Sequence, residues 1–255
     1  MRAAIVINPI SGRRGRRIDA AGERRAIAAR VASRSGADVE ILTTEQPGHA
    51  RELAAGLIAR GIDRVIAWGG DGTVNEVAGP LIGTTAALGI VPSGSGDGFA
   101  RGLRLPRNPE RALHLALTGS PHAVDVGYLG ARHFLNVAGI GFDAAVGAIV
   151  NQSRKRGPVG YFRAFSLVWR YRPATSTLVL DEEAFDGERF LVVFANGREY
   201  GNGVVIAPDA SFTDGRLDAL VVAAGSPLRQ FWRARRLLIG RRRPAAGLQR
   251  RQFTT

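Results

Sequence analysis

The 255-residue sequence contains no cysteine, a single lysine (Lys155) and only four scattered histidines. Without thiols, disulfides and cysteine nucleophiles are excluded, and zinc sites built from Cys and His have no ligand set. Any metal must be held by oxygen. No stretch approaches the roughly 18 to 20 uninterrupted apolar residues of a spanning helix, and the N-terminal MRAAIVINPI lacks the architecture of a signal peptide. The expectation is a soluble protein. Internal repeats and low-complexity linkers are also missing. Positive charge is what the chain has in excess: 35 basic residues against 22 acidic give +13. Such a balance attracts polyanions, whether nucleic acid, an anionic membrane or phosphorylated ligands. No helix-turn-helix, RRM or KH pattern is present, and the aromatics form no strand platform, so nucleic acid is not the expected partner.

A hydrophobic content of 45% over this length suffices for one large core or two modest ones, and the rhythm of the chain predicts two domains, 1–119 and 120–255. In the first, strands at 3–7, 38–43, 64–67 and 87–91 alternate with helices at 18–33, 50–60, 74–81 and 109–117. Alternation of this kind predicts an α/β domain with a mostly parallel, three-layer sheet whose ligand crevice lies outside the carboxyl ends of the strands. In the second, short apolar runs at 123–128, 134–140, 176–180, 190–195, 204–207 and 217–222 are separated by Gly, Asn, Asp and Pro. They predict an antiparallel β-sandwich or barrel, interrupted by one helix over 160–172.

Four predicted strand ends of the first domain carry groups that bind anions. After Ile7 comes NPISGRRGRR, in which Asn8, Ser11 and Gly12 offer donors and Arg13, Arg14, Arg16 and Arg17 add charge. Thr44 follows the second strand, GGDGTVNE the third and PSGSGDGFAR the fourth. In the third loop Gly69, Gly70 and Gly72 remove side chains so that backbone N–H groups can approach a polyphosphate, and Thr73 opens a helix whose N-terminus favours negative charge. Asp71 is out of place there as a phosphate ligand alone. It makes sense if it holds Mg²⁺ or accepts a proton from an attacking hydroxyl. A Gly-Asp-Gly run is also a common tight turn; its place between strand and helix, beside three other donor-rich loops, favours the functional reading. Neither G-x-x-x-x-G-K-[ST] nor a G-x-G-x-x-G after the first strand is present.

These motifs together resemble the diacylglycerol kinase catalytic-domain family, which includes bacterial lipid kinases, sphingosine kinases and ceramide kinases. Gly69-Gly70-Asp71-Gly72-Thr73 with Asn75-Glu76-Val77 is similar to its signature, Asn8-Pro9-x-Ser11-Gly12 to its opening motif, Thr44 to its second and Pro92 to Asp97 to its fourth. Asp125-Val126-Gly127, the segment from Phe134 to Asp143, Gly157 to Tyr161, and Ala207 to Asp218 follow the family order, so the likeness runs from residue 5 to about 222. It implies a two-domain fold, ATP on the first domain, and transfer of the γ-phosphoryl group to a lipid hydroxyl in a cleft between domains. Carried over, Asn8, Ser11, Gly12, Thr44, Gly69, Gly70, Asp71, Gly72, Thr73, Val74, Asn75, Glu76 and Ser95 would contact nucleotide. Asp71 and Asp97 would be the catalytic acids, with Asp71 organising Mg²⁺ or assisting deprotonation. A structural metal would fall on the Asp214 carboxylate and the carbonyls of Ser211 and Arg216; without the resemblance, Asp214-Gly215 reads as a hairpin turn.

Departures from the pattern are specific. The fourth loop, usually Gly-Thr-x-Asn-Asp in bacterial members, reads Gly94-Ser95-Gly96-Asp97-Gly98, so an aspartate replaces the asparagine and a glycine the second acid. The late Asp-Gly-Glu that supplies a proton acceptor in bacterial members is expected beyond Thr255; Asp186-Gly187-Glu188 has the same letters in the wrong place, ahead of an earlier strand. Three outcomes stay open: a shortened gene product, Asp71 as base, or a weakened or inactive kinase, the last favouring a non-catalytic nucleotide or anionic-lipid binding protein. NAD kinase shares the Gly-Gly-Asp-Gly-Thr loop, but the NPxSG opening and the Pro-x-Gly-Ser loop argue against it. Finally, GPVGYFRAFSLVWRYR and PLRQFWRARRLLIGRRR interleave aromatics with arginine in a manner suited to an anionic membrane surface. The resemblance therefore implies a cytoplasmic bacterial enzyme held peripherally at the inner face of the membrane, and an exposed sandwich edge strand would permit a homodimer.

Overall fold

The computed structural model describes residues 1–12, 20–142, 171–201, 204–226 and 248–254. The four arginines at 13–17, the segment 143–170 and the basic aromatic stretch 227–243 lie outside the described residues. Two compact units emerge, Met1–Ala123 and Val124–Thr255.

In the first unit, strands β1 (Arg2–Ile7), β2 (Asp38–Thr43), β3 (Arg64–Gly69) and β4 (Ala87–Pro92) pair parallel in the order β2-β1-β3-β4. Strands covered on both faces have no solvent side, so they read as continuous apolar runs; Ala3 to Ile7 and Val65 to Trp68 are all buried. Helices α1 (Ala20–Ser35) and α5 (Pro109–Thr118) cover one face, where Ala28, Val31, Ala112, Leu113 and Leu117 pack on Ile5, Ile7, Ile66 and Trp68. Arg30 of α1 and Glu110 of α5 form an exposed ion pair above this layer. Helices α2 (His49–Ala59) and α3 (Asp71–Leu81) pack on each other and on the opposite face. Asn108 caps α5 by accepting the Arg111 N–H at 3.0 Å, with Pro109 in the first turn, the arrangement expected where an unpaired N–H needs an acceptor and a missing one is harmless.

A short helix, α4 (Gly98–Gly102), follows the fourth strand, and α3 starts at Asp71, three residues ahead of the sequence expectation. In the second unit β5 (Gly127–Leu129) and β6 (Arg132–Phe134) form a hairpin, and β10 (Glu199–Gly201) pairs β11 (Val204–Val205). The main antiparallel sheet runs β13 (Leu248–Thr254), β12 (Arg216–Ala223), β9 (Glu183–Ala195), β7 (Val137–Gly141), with β8 (Ala174–Leu180) also on β9. Phe134, Leu180, Val192, Phe194, Leu217 and Ala219 make its core. The Asp186-Gly187-Glu188 triplet lies inside β9, where Asp186 accepts the Thr177 hydroxyl across the hairpin at 2.6 Å. Among the described residues no helix is long and apolar enough to cross a membrane.

Candidate active site at the carboxyl edge of the parallel sheet

Parallel pairing puts the ends of β1, β2, β3 and β4 on one edge. Backbone ladders continue one residue beyond the strands: Asn8 N–H donates to Trp68 O, Thr44 N–H to Ile7 O and Ser93 N–H to Gly69 O, each at 2.9 Å. Asn8, Thr44, the Gly69 to Thr73 turn and Ser93 are thereby aligned by the same hydrogen bonding that builds the sheet. Sequence reasoning placed these loops along one edge, and the register does so.

Contacts between the loops explain their glycines. Gly12 has φ +71°, and a Cβ there would stand 1.9 Å from Ser93 O. A Cβ on Gly69 would meet the Thr73 side chain at 2.4 Å, and one on Gly94 would meet Gly70 Cα at 2.8 Å. The first, third and fourth loops therefore touch backbone to backbone. Asn8 Nδ2 donates to Thr73 Oγ1 at 2.9 Å, while Asn8 Oδ1 accepts the Ile10 N–H at 3.1 Å. Asn8 and Thr73 thus hold the first loop against the start of α3.

Gly70 occupies the N-cap of α3 in an extended conformation with no side-chain cap. The first helical N–H groups have no acceptor within the helix, and they carry the positive end of its dipole. Asp71 is the first residue of that helix and is exposed. Its Oδ1 accepts the Phe99 N–H at 3.3 Å, and a Cβ on Gly96 would approach its Oδ2 at 3.4 Å. Asp97 lies alongside, buried, in the left-handed region at φ 47°, with Oδ1 accepting the Gly94 N–H at 2.9 Å. Burial raises the Asp97 pKa, the Gly94 N–H opposes this, the neighbouring Asp71 charge raises it further, and Arg107 and Arg101 pull it down.

A hard divalent cation placed between these two carboxylates would neutralise both through oxygen ligands. Among the described residues no group of three or more His, Cys, Asp or Glu side chains could hold a metal unaided, so such a cation would share its coordination with phosphate oxygens.

The remaining predicted residues fall as follows. Ser95 is exposed on the fourth loop and Thr44 is buried at the end of β2. Val74 is a core residue whose N–H bonds Gly70 O at 3.0 Å. Glu76 accepts the Gly48 N–H at 3.2 Å, tying α3 to the start of α2, and Asn75 is half-buried on the same helix. In the second unit Asp214 Oδ1 accepts the Arg216 N–H at 3.1 Å, closing a turn; Ser211 Oγ accepts the Thr213 N–H at 3.3 Å; and Asp125 Oδ2 accepts the Gly215 N–H at 2.8 Å.

Arg24 was missed by sequence reasoning. It is 6% exposed, with its guanidinium on Asn8 O, Ser11 Oγ and Ser11 O and 6.0 Å from the Trp68 ring centroid. Burial lowers its pKa from the usual arginine value. The signal was its spacing, since 24, 28 and 31 form one i, i+4, i+7 stripe and the other two are buried apolar residues.

Replacing Asp97 by Asn tests the crowding. A raised carboxyl pKa means that the folded chain binds the proton more tightly than the unfolded one. The resulting stabilisation is complete below the unfolded pKa and is lost as pH rises through the folded pKa. Asp97→Asn keeps an acceptor for Gly94 and tolerates the left-handed backbone. It should raise stability to urea at pH 7, with the difference closing in the acid range. A constant difference from pH 3 to pH 8 would contradict the assignment.

The family model "Diacylglycerol kinase catalytic domain" matches residues 2–129, and "YegS C-terminal NAD kinase beta sandwich-like domain" matches 136–241. A Chromohalobacter salexigens protein named "Probable lipid kinase YegS-like" is 40% identical over 209 residues, 77% of this chain and 65% of that protein. A Mycobacterium tuberculosis protein named diacylglycerol kinase is 35% identical over 228 residues, 86% of this chain and 72% of that protein. The matched part thus spans about two thirds of the length of these curated relatives. The crystal structure of a diacylglycerol kinase from Bacillus anthracis strain Sterne superposes with a TM-score of 0.72 at 24% identity, covering 99% of this chain and 83% of that one; this likeness establishes the fold.

Proposed function

Because the chain belongs to the diacylglycerol kinase catalytic-domain family, we propose that it is a lipid kinase that moves the γ-phosphoryl group of ATP to a lipid hydroxyl. The observation that carries this reading is the meeting of three loops backbone to backbone around Asp71 at an uncapped helix start. Phosphoryl transfer needs little covalent help from protein; it needs phosphates positioned and their developing charge stabilised. Exposed N–H groups at the start of α3 and the glycine loops supply positioning and partial positive charge.

Residues 1–119 serve as the nucleotide domain and 120–255 as the lipid-kinase domain. Asn8 orders the first loop, Thr73 anchors it, and Ser11, Gly12, Thr44, Gly69, Gly70, Gly72 and Ser95 line the nucleotide crevice. Asp71 and Asp97 would hold Mg²⁺, whose chemistry is neutralisation of charge between the transferring phosphates. The Asp71 Oδ2 atom then orients the acceptor hydroxyl or takes its proton. The Ser211, Asp214 and Arg216 turn is the candidate for a separate structural cation. The arginine excess supports work at an anionic bilayer surface on the cytoplasmic side, and pairing of two chains along a sheet edge fits the same reading.

Incubation with [γ-³²P]ATP and Mg²⁺, separately with diacylglycerol, sphingosine, ceramide and NAD, tests this. Label is expected in a lipid. Label in NADP would make it an NAD kinase, and nucleotide binding with no labelled product would make it a binding protein.

A further inference from the structure

Beneath the first and fourth loops a chain of hydrogen bonds links Arg24, Ser11 and Ser93. It starts at Arg24, whose Nη1 donates to Ser11 Oγ at 2.9 Å and to Asn8 O, while Nη2 donates to Ser11 O at 2.8 Å. A guanidinium has donors and no acceptor, and it stays protonated at any working pH. Ser11 Oγ therefore receives a hydrogen from Arg24, and its own single hydrogen must go elsewhere. Two acceptors are in reach: Asn8 O at 3.1 Å and Ser93 Oγ at 2.7 Å. Asn8 O already accepts from Arg24, and 2.7 Å is the preferred length of an O–H···O bond. Either hydroxyl of the 2.7 Å pair can donate; the shorter contact and the shared acceptor at Asn8 favour the arrangement in which the Ser11 hydrogen goes to Ser93.

Ser93 Oγ is then an acceptor from Ser11, which leaves its own hydrogen free to leave the loop. Ser93 is the first residue beyond β4, on the carboxyl edge of the sheet, and is half-buried. Its carbonyl is fixed under Gly12 and its N–H is held by Gly69 O, so the residue has little freedom apart from its hydroxyl rotor.

The second observation is electrostatic. Arg24 is buried, and among the described residues no carboxylate is paired with it. A buried cation without a counter-charge is costly unless an anion completes the arrangement. Resting on the nucleotide reading of this crevice, we propose that Arg24, acting through Ser11, turns the Ser93 hydroxyl outward as a hydrogen-bond donor to the bound polyphosphate. Arg24 is the positioning residue and supplies the charge from below; Ser93 is the ligand-contacting residue.

The test is calorimetric titration of the full chain with ATP, inorganic tripolyphosphate and adenosine. Ser93→Ala should weaken ATP and tripolyphosphate by about tenfold, as expected for loss of one hydrogen bond to a charged group, and leave adenosine unchanged. Ser11→Ala should give a similar loss, and the Ser11→Ala/Ser93→Ala pair should be no weaker than either single variant. Arg24→Gln should weaken both phosphate ligands in the parent and have at most a twofold effect on them in the Ser93→Ala background; should that variant fail to fold, the two serine variants carry the test. The relay is overturned if Ser93→Ala binds ATP within twofold of the parent, or if the two serine losses multiply. A parent chain that binds neither ATP nor tripolyphosphate would overturn the nucleotide reading and the relay together.

Discussion

Asp71→Asn is expected to lower the turnover of phosphoryl transfer by roughly 10²- to 10⁴-fold, the range for loss of a charged group that assists proton transfer, with folding unaffected. The substitution is nearly isosteric and retains an oxygen that can accept from Phe99 N–H, now at 3.3 Å. What it removes is one of two adjacent carboxylates. Relief of repulsion against Asp97 should leave binding of ATP without Mg²⁺ unchanged or tighter, whereas the Mg²⁺ needed for half-maximal turnover should rise. Steady-state rates across a magnesium series, beside a urea melt, measure both. Full turnover in this variant would remove Asp71 from the chemistry and with it the kinase reading of the loop.

The other large effect is expected at Gly12. Its φ of +71° costs an L-residue about 1–2 kcal/mol, and its Cβ would lie 1.9 Å from a backbone oxygen, Ser93 O, which no rotamer change can relieve. Gly12→Ala must separate the first and fourth loops, so ATP affinity should fall on the order of 100-fold, more than the roughly tenfold expected for loss of the Ser93 hydroxyl alone. Gly36→Ala is the control: φ is +67°, but nothing lies within 4 Å of the added Cβ. It pays the backbone strain away from the crevice. The loss at Gly12 should therefore appear in binding, that at Gly36 only in the melt; equal ATP affinities for the two variants would show that the loops do not touch as described.

Much of the fold was legible because periodicity and burial agree. The alternating strands and helices of the first unit follow from apolar runs that can be stable only between two helical layers. Misses have particular causes. Asp71-Gly72-Thr73 reads as loop because glycine disfavours a helix interior, yet a helix's first turn accepts Asp and Gly readily, so α3 begins earlier than its apolar pattern. The run 134–140 reads as one strand, but it breaks into β6 and β7 at Leu135-Asn136. There Asn136 O accepts the Asn196 and Gly197 N–H groups while its Nδ2 donates to Glu199 O. LQRRQFT has no alternation to announce a strand; β13 exists because β12 offers it an edge.

At the candidate site, residue type and order alone singled out four loops that offer donors to an anion, excluded thiolate ligands, and pointed to the family to which the chain belongs. Those conclusions rest on local chemistry: glycine where backbone must approach an anion, aspartate where a cation or proton must be held. Tertiary structure decided that Asp97 sits buried beside Asp71, that Gly12 seats on Ser93, and that one arginine of a basic helix turns inward beneath the first loop. Each depends on contacts between loops or elements distant in the chain, made by the parallel register and by the packing of α1 on the sheet, and none of the three is encoded in the composition of any single loop.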